Sequence, residues 1–100
     1  MTKEEYLLTC LGEECAEVAQ AVSKALRFGL NVNFLDQDKT NREQLVSELN
    51  DLLSVVRLLA DDKTIQPEWC NLIAQKAKRI KVEKYMHISQ KLGRLDSENN

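Results

Sequence analysis

Proline and glycine are scarce in this chain: one proline and three glycines in 100 residues. So few backbone breakers leave long segments free to become helices. With 43% hydrophobic residues, the chain can fold as a mostly helical single domain. Long apolar runs are also absent, which argues against a bilayer-spanning helix. No secretory leader is visible, because Leu7-Leu8 is soon followed by Gly12-Glu13-Glu14. Charge of one sign is lacking too. A net charge of −2 gives no electrostatic case for nucleic acid or a membrane surface as partner. Cysteine is sparse and odd in number: Cys10, Cys15 and Cys70 show no metal-type spacing. They are expected as buried free thiols in a reducing cytoplasm. There is no internal repeat and no low-complexity segment.

Against that background, three helices are legible. Thr2-Lys3-Glu4-Glu5 has the form of a capping box, in which a Thr and a Glu three residues on satisfy each other's backbone N–H. Leu7, Leu8, Leu11, Val18, Val22 and Leu26 follow at helical spacing, and Gly29 supplies a stop, so the first helix is expected over about residues 3–28. Gly12 lies inside it and is a place where another helix or chain could approach closely. Residues 30–39 have no period. They are expected to form a loop, either covering a pocket or serving as a connector pinned by Phe34 and Leu35. Thr40-Asn41-Arg42-Glu43 is a second capping box. Leu45, Leu49, Leu52, Leu53, Val56, Leu59 and Ala60 carry the second helix to about Asp61-Asp62. Pro67 suits the first position of a helix, so the third is expected to start there and run to about Leu92, with Trp69, Ile73, Ala77 and Ile80 on its first apolar face. The expected fold is all-α, with three main helices. Residues 1–93 form one domain and 94–100 a polar, frayed tail. Wide apolar faces on so short a chain suit a dimer or larger oligomer.

The chemistry lies in acids placed beside the core. At about 100° per residue, Glu48 projects between Val55 and Leu59, and Asp51 between Leu58 and Val55. Glu14 borders the arc of Leu7, Leu11, Val18, Val22 and Ala25, and Glu17 stands next to it near Cys10 and Ala21. Carboxylates gathered at a core border repel one another and lose hydration, so they take up protons or are neutralised by cations. Four of them around one pocket favour a hard divalent ion, Mg2+ or Mn2+. A single Glu-x-x-Glu usually marks a solvated face. Two acidic pairs on successive helices are more specific, and from spacing alone both readings stand open.

The third helix carries Lys76, Lys78, Arg79, Lys81 and Lys84, followed by Tyr85. Such a group is either a solvated face or a phosphate-binding surface that complements a metal site. His87 stands alone, without the Glu-x-x-His partners of a helical di-iron site, and is expected to be structural or exposed.

The stretch LGEECAEVAQAV followed by ELNDLLSVVRLL resembles the all-α NTP pyrophosphatase superfamily, in its MazG-like branch. That family carries Glu-Glu-x-x-Glu on one helix and Glu-x-x-Asp on the next, matched here by Glu13, Glu14 and Glu17, then Glu48 and Asp51. The segment KAKRIKVEKY is similar to the basic stretch ending in Lys-Tyr that often follows, so the resemblance spans about residues 5–86. The gap between the acidic motifs is on the long side. Val82 or Lys81 stands where an Asn is often found, and Met86 where a Pro is.

The resemblance implies hydrolysis of a nucleoside triphosphate to monophosphate and pyrophosphate. Glu14, Glu17, Glu48 and Asp51 would hold Mg2+, or Mn2+ in its place. A water made acidic by the cation would attack the α-phosphorus, oriented or deprotonated by Glu14 or Glu13, the latter set further from the core. Lys78, Lys81 and Lys84 would meet the β- and γ-phosphates, with Tyr85 beside them; Trp69, Phe28 or Phe34 could stack on a base or serve the core. Small members associate, so a homodimer built as a four-helix core, or a homotetramer, is expected. The role implied is cytoplasmic cleansing of the nucleotide pool. Two alternatives remain: a non-catalytic helical dimerisation module, and a related dUTP-type or phosphoribosyl-ATP pyrophosphohydrolase.

Overall fold

The computed structural model describes residues 1–33 and 37–96. Among these residues there are three α-helices and no strand: α1 (Lys3–Phe28), α2 (Asn41–Asp61) and α3 (Leu72–Lys91), with a 3₁₀ turn at Pro67–Trp69. The chain divides into two compact units, Met1–Pro67 and Glu68–Asn100. The expected anchors Phe34 and Leu35, and residues 97–100 of the expected tail, lie outside the described residues.

In the first unit, both capping boxes form as the sequence predicts. The Thr2 hydroxyl accepts from Glu5 N–H at 3.1 Å, and Glu5 Oε1 accepts from Thr2 N–H at 3.0 Å. Thr40 and Glu43 repeat the arrangement at 3.1 and 3.0 Å. Each box satisfies donors that a helix start otherwise leaves without partners. The α1 helix stops at Gly29, whose φ of 101° is one that residues bearing a Cβ rarely adopt. No glycine follows α2. There Lys63 takes the left-handed conformation, φ 61°, and Thr64 N–H reaches back to the Leu59 carbonyl at 2.9 Å.

Helices α1 and α2 pack on each other as an antiparallel pair. At one end Lys3 Nζ meets Asp62 Oδ1 at 3.0 Å. At the other end, the start of α2 holds the chain leaving α1. Asn41 Nδ2 donates to the Gly29 carbonyl at 2.8 Å, Asn41 N–H to the Val32 carbonyl at 2.9 Å, and Arg42 N–H to the Leu30 carbonyl at 2.8 Å. Among the described residues, the buried ones are Leu7, Ala21, Leu59 and Asn41. Many residues expected in the core are exposed instead: Leu8, Val22, Leu26, Leu49 and Leu53, with Leu26 at 82%. Two helices can cover only one stripe of each other, and these apolar faces are wider than that stripe.

Pro67, the last residue of the first unit, does not open α3. It opens the short 3₁₀ turn, and the helix begins at Leu72 behind a separate cap: Asn71 is extended, φ −115° and ψ 109°, and its side chain accepts from Ala74 N–H at 2.9 Å. An Asn cap satisfies a free amide N–H, whereas Pro only tolerates a first-turn position. The face expected to be apolar and buried is open, with Ile73 at 84% and Ile80 at 60% exposure. The thiols are free as expected but not buried: Cys10 is half-buried, Cys15 and Cys70 exposed. His87 is exposed.

Candidate metal centre

Midway along the α1–α2 pair the carboxylates converge. One oxygen from each of Glu14, Glu17 and Glu48 lies within 4.8 Å of the others. Glu14 and Glu17 come from successive turns of α1, three residues apart and so on one face. Glu48 comes from the facing helix α2. Glu14 and Glu48 are half-buried and Glu17 is exposed, so the trio sits at the rim of the packed interface.

The electrostatics follow from that placement. Desolvation lifts the Glu14 carboxyl above the ordinary carboxylate range, and the charges of Asp51, Glu48 and Glu13 push it the same way. Glu17 is raised first by a hydrogen bond with Glu48, then by the charges of Glu48 and Glu14, by desolvation and by Asp51. Oε2 of Glu14 and Oε2 of Glu48 are buried and receive no donor among the described residues. Buried anionic oxygens without donors are costly, and a cation removes that cost. The donor set is all carboxylate oxygen, which suits Mg2+ or Mn2+ over softer ions.

Asp51 and Glu13 lie outside the trio. Both are exposed, and they act on it through charge: Asp51 raises Glu14 and Glu17, Glu13 raises Glu14. Beside the trio is a cavity of about 140 Å³ lined by Glu17, Gln20, Ala21, Lys24, Gln37, Gln44 and Glu48. Gln44 was not singled out by sequence reasoning. Its Nε2 donates to Glu48 Oε1 at 2.8 Å. The i,i+4 spacing of a Gln before a Glu was the available signal.

The basic residues belong to the second unit. Lys78, Lys81 and Tyr85 line one concavity of about 380 Å³ with Val82, Met86, Ser89, Arg94 and Leu95. Lys84 is exposed and outside that lining. Arg94, assigned to the tail by sequence reasoning, adds a cation to this surface. Arg79 is instead paired with Glu83 at 2.9 Å. Among the described residues, no helix is long and apolar enough to cross a membrane.

Compared with known protein families, residues 2–96 match the model of the MazG nucleotide pyrophosphohydrolase domain. No curated protein and no solved structure gives a significant match.

Proposed function

The chain belongs to the MazG nucleotide pyrophosphohydrolase family, and on that footing we propose that it hydrolyses nucleoside triphosphates, (d)NTP to (d)NMP and pyrophosphate, with Mg2+ as its cofactor. The observation that carries this reading is the meeting of Glu14, Glu17 and Glu48 oxygens within 4.8 Å, two of the three residues having a buried oxygen that no donor among the described residues reaches.

In this reading Glu14, Glu17 and Glu48 hold the cation, and Asp51 completes the negative field around it. The cation, when bound, draws the phosphate oxygens and lowers the pKa of water at the site. The chain's own residues do the rest. Glu14 or Glu13 orients the attacking water and takes its proton. Lys78, Lys81, Lys84 and Tyr85 bind the β- and γ-phosphates, where ammonium groups balance the charge that builds on the leaving pyrophosphate. Residues 1–93 serve as one functional domain. The apolar side chains left exposed on α1 and α2 suit association into a homodimer with a four-helix core, or a homotetramer. The setting is the cytoplasm, and the task is removal of aberrant or surplus nucleotides.

The test is pyrophosphate release from a panel of NTPs and dNTPs, with and without Mg2+, by wild type and Glu48→Gln side by side. Release that needs Mg2+ and disappears in the variant is expected. The variant should fold at least as stably as wild type in metal-free buffer, because it loses a repelling charge. Folded protein that releases pyrophosphate from no nucleotide would overturn the reading and leave the exposed apolar faces as the working part of an interaction module.

A further inference from the structure

The two oxygens of Glu48 stand in different surroundings. Oε1 accepts from Gln44 Nε2 at 2.8 Å, one helical turn upstream. Oε2 is buried and has no donor among the described residues. Both residues are half-buried. A carboxylate on a Glu side chain can turn about its last torsion at little cost, because that torsion is broad. A donor fixed to one oxygen removes that freedom and leaves the other oxygen as the ligand. The donor is also neutral. A lysine at the same position would bind Oε1 as well, but would cancel the negative charge that attracts the cation.

We propose that Gln44 is a positioning residue of the metal centre: its amide ties Oε1 of Glu48 and so commits Oε2 to the cation. This rests on the reading that Glu48 is a metal ligand. Gln44 touches neither metal nor substrate in this role. It acts through Glu48, in the way that hydrogen bonds behind a ligating carboxylate fix its orientation and tune affinity, typically by ten- to a hundredfold, here taken as roughly that range.

The experiment is Mn2+ titration followed by electron paramagnetic resonance of the free ion, on wild type, Gln44→Met, Gln20→Met and Glu48→Gln. Met has nearly the length of Gln but offers no donor. Gln20→Met removes an amide from the same cavity without touching a ligand carboxylate. Gln44→Met is expected to weaken Mn2+ binding by about tenfold or more. Its metal-free melting temperature should stay near that of wild type, and Gln20→Met should bind as wild type does. Gln44→Met binding within about twofold of wild type, with Glu48→Gln binding abolished, overturns the proposal and leaves the metal site standing. A large fall in metal-free melting temperature of Gln44→Met also overturns it, because the amide would then serve folding. Wild type that binds no Mn2+ overturns the proposal and the metal reading together.

Discussion

The side-chain amide of Asn41 donates to the carbonyl of Gly29 at 2.8 Å, joining the first residue of α2 to the residue that ends α1. Asn41 is 1% exposed, the one buried polar residue among those described. Its backbone N–H goes to Val32, so a single residue holds the chain leaving α1 at two points. Asn41→Ala removes the side-chain donor and leaves a carbonyl in a half-closed site without its partner. The expected cost is about 1–3 kcal/mol of unfolding free energy, read by denaturant melts. A loss below about 0.5 kcal/mol would mean water replaces the amide freely.

Stability should respond to pH in two opposite ways, from two carboxylates. Asp62 is held below its ordinary value first by its hydrogen bond to Lys3, with the Lys3 charge and Thr64 helping. Its contribution is present above the ordinary carboxylate pKa and is lost as pH falls through the lowered one. Asp62→Asn is therefore less stable than wild type at neutral pH, and the gap closes on acidification. Glu17 is raised, first by the Glu48 hydrogen bond. Its contribution is present below the ordinary pKa and is lost as pH rises through the raised one. Glu17→Gln, whose amide can donate to Glu48 without charge, is therefore more stable than wild type at neutral pH in metal-free buffer. That gap closes as the pH falls. Melts of the three proteins across the acid range would read both, and gaps that widen on acidification would contradict the assignment.

Gly12 sits inside α1 on an exposed face, and a Cβ built there meets no atom within 4 Å. None of the described residues uses the space expected there for a close approach. Gly12→Ala should raise helix stability by about 0.5–1 kcal/mol through reduced backbone freedom in the unfolded state. Thermal melts with sedimentation would check it. A variant that instead loses stability together with its oligomeric state would place a second chain against that glycine.

The sequence was most legible where the physics is local. The bounds of α1 and α2, the two capping boxes and the Gly29 stop rest on hydrogen bonds within a few residues, and all were readable from residue type and spacing. The acidic trio was readable because Glu14 and Glu17 share a helical face and Glu48 borders another. What was not readable came from competition or from three dimensions. Pro67 and Asn71 both announce a helix start, and only the folded chain shows that Asn71 caps the helix. Asn41 was hidden inside a capping box, where nothing marked it for burial against Gly29. Periodicity named apolar faces but could not say which would be covered, so Leu26 and Ile73 were expected inside and stand outside.

The ion pair between Lys3 and Asp62 closes one end of the α1–α2 pair, and the Asn41 clamp closes the other. The trio lies between two fastened ends, away from any free terminus that could unravel alone. The backbone amides around Glu14 and Glu48 can therefore meet deuterium only when the helix pair opens as a unit, and their exchange clocks that cooperative opening and not the breathing of a helix tip.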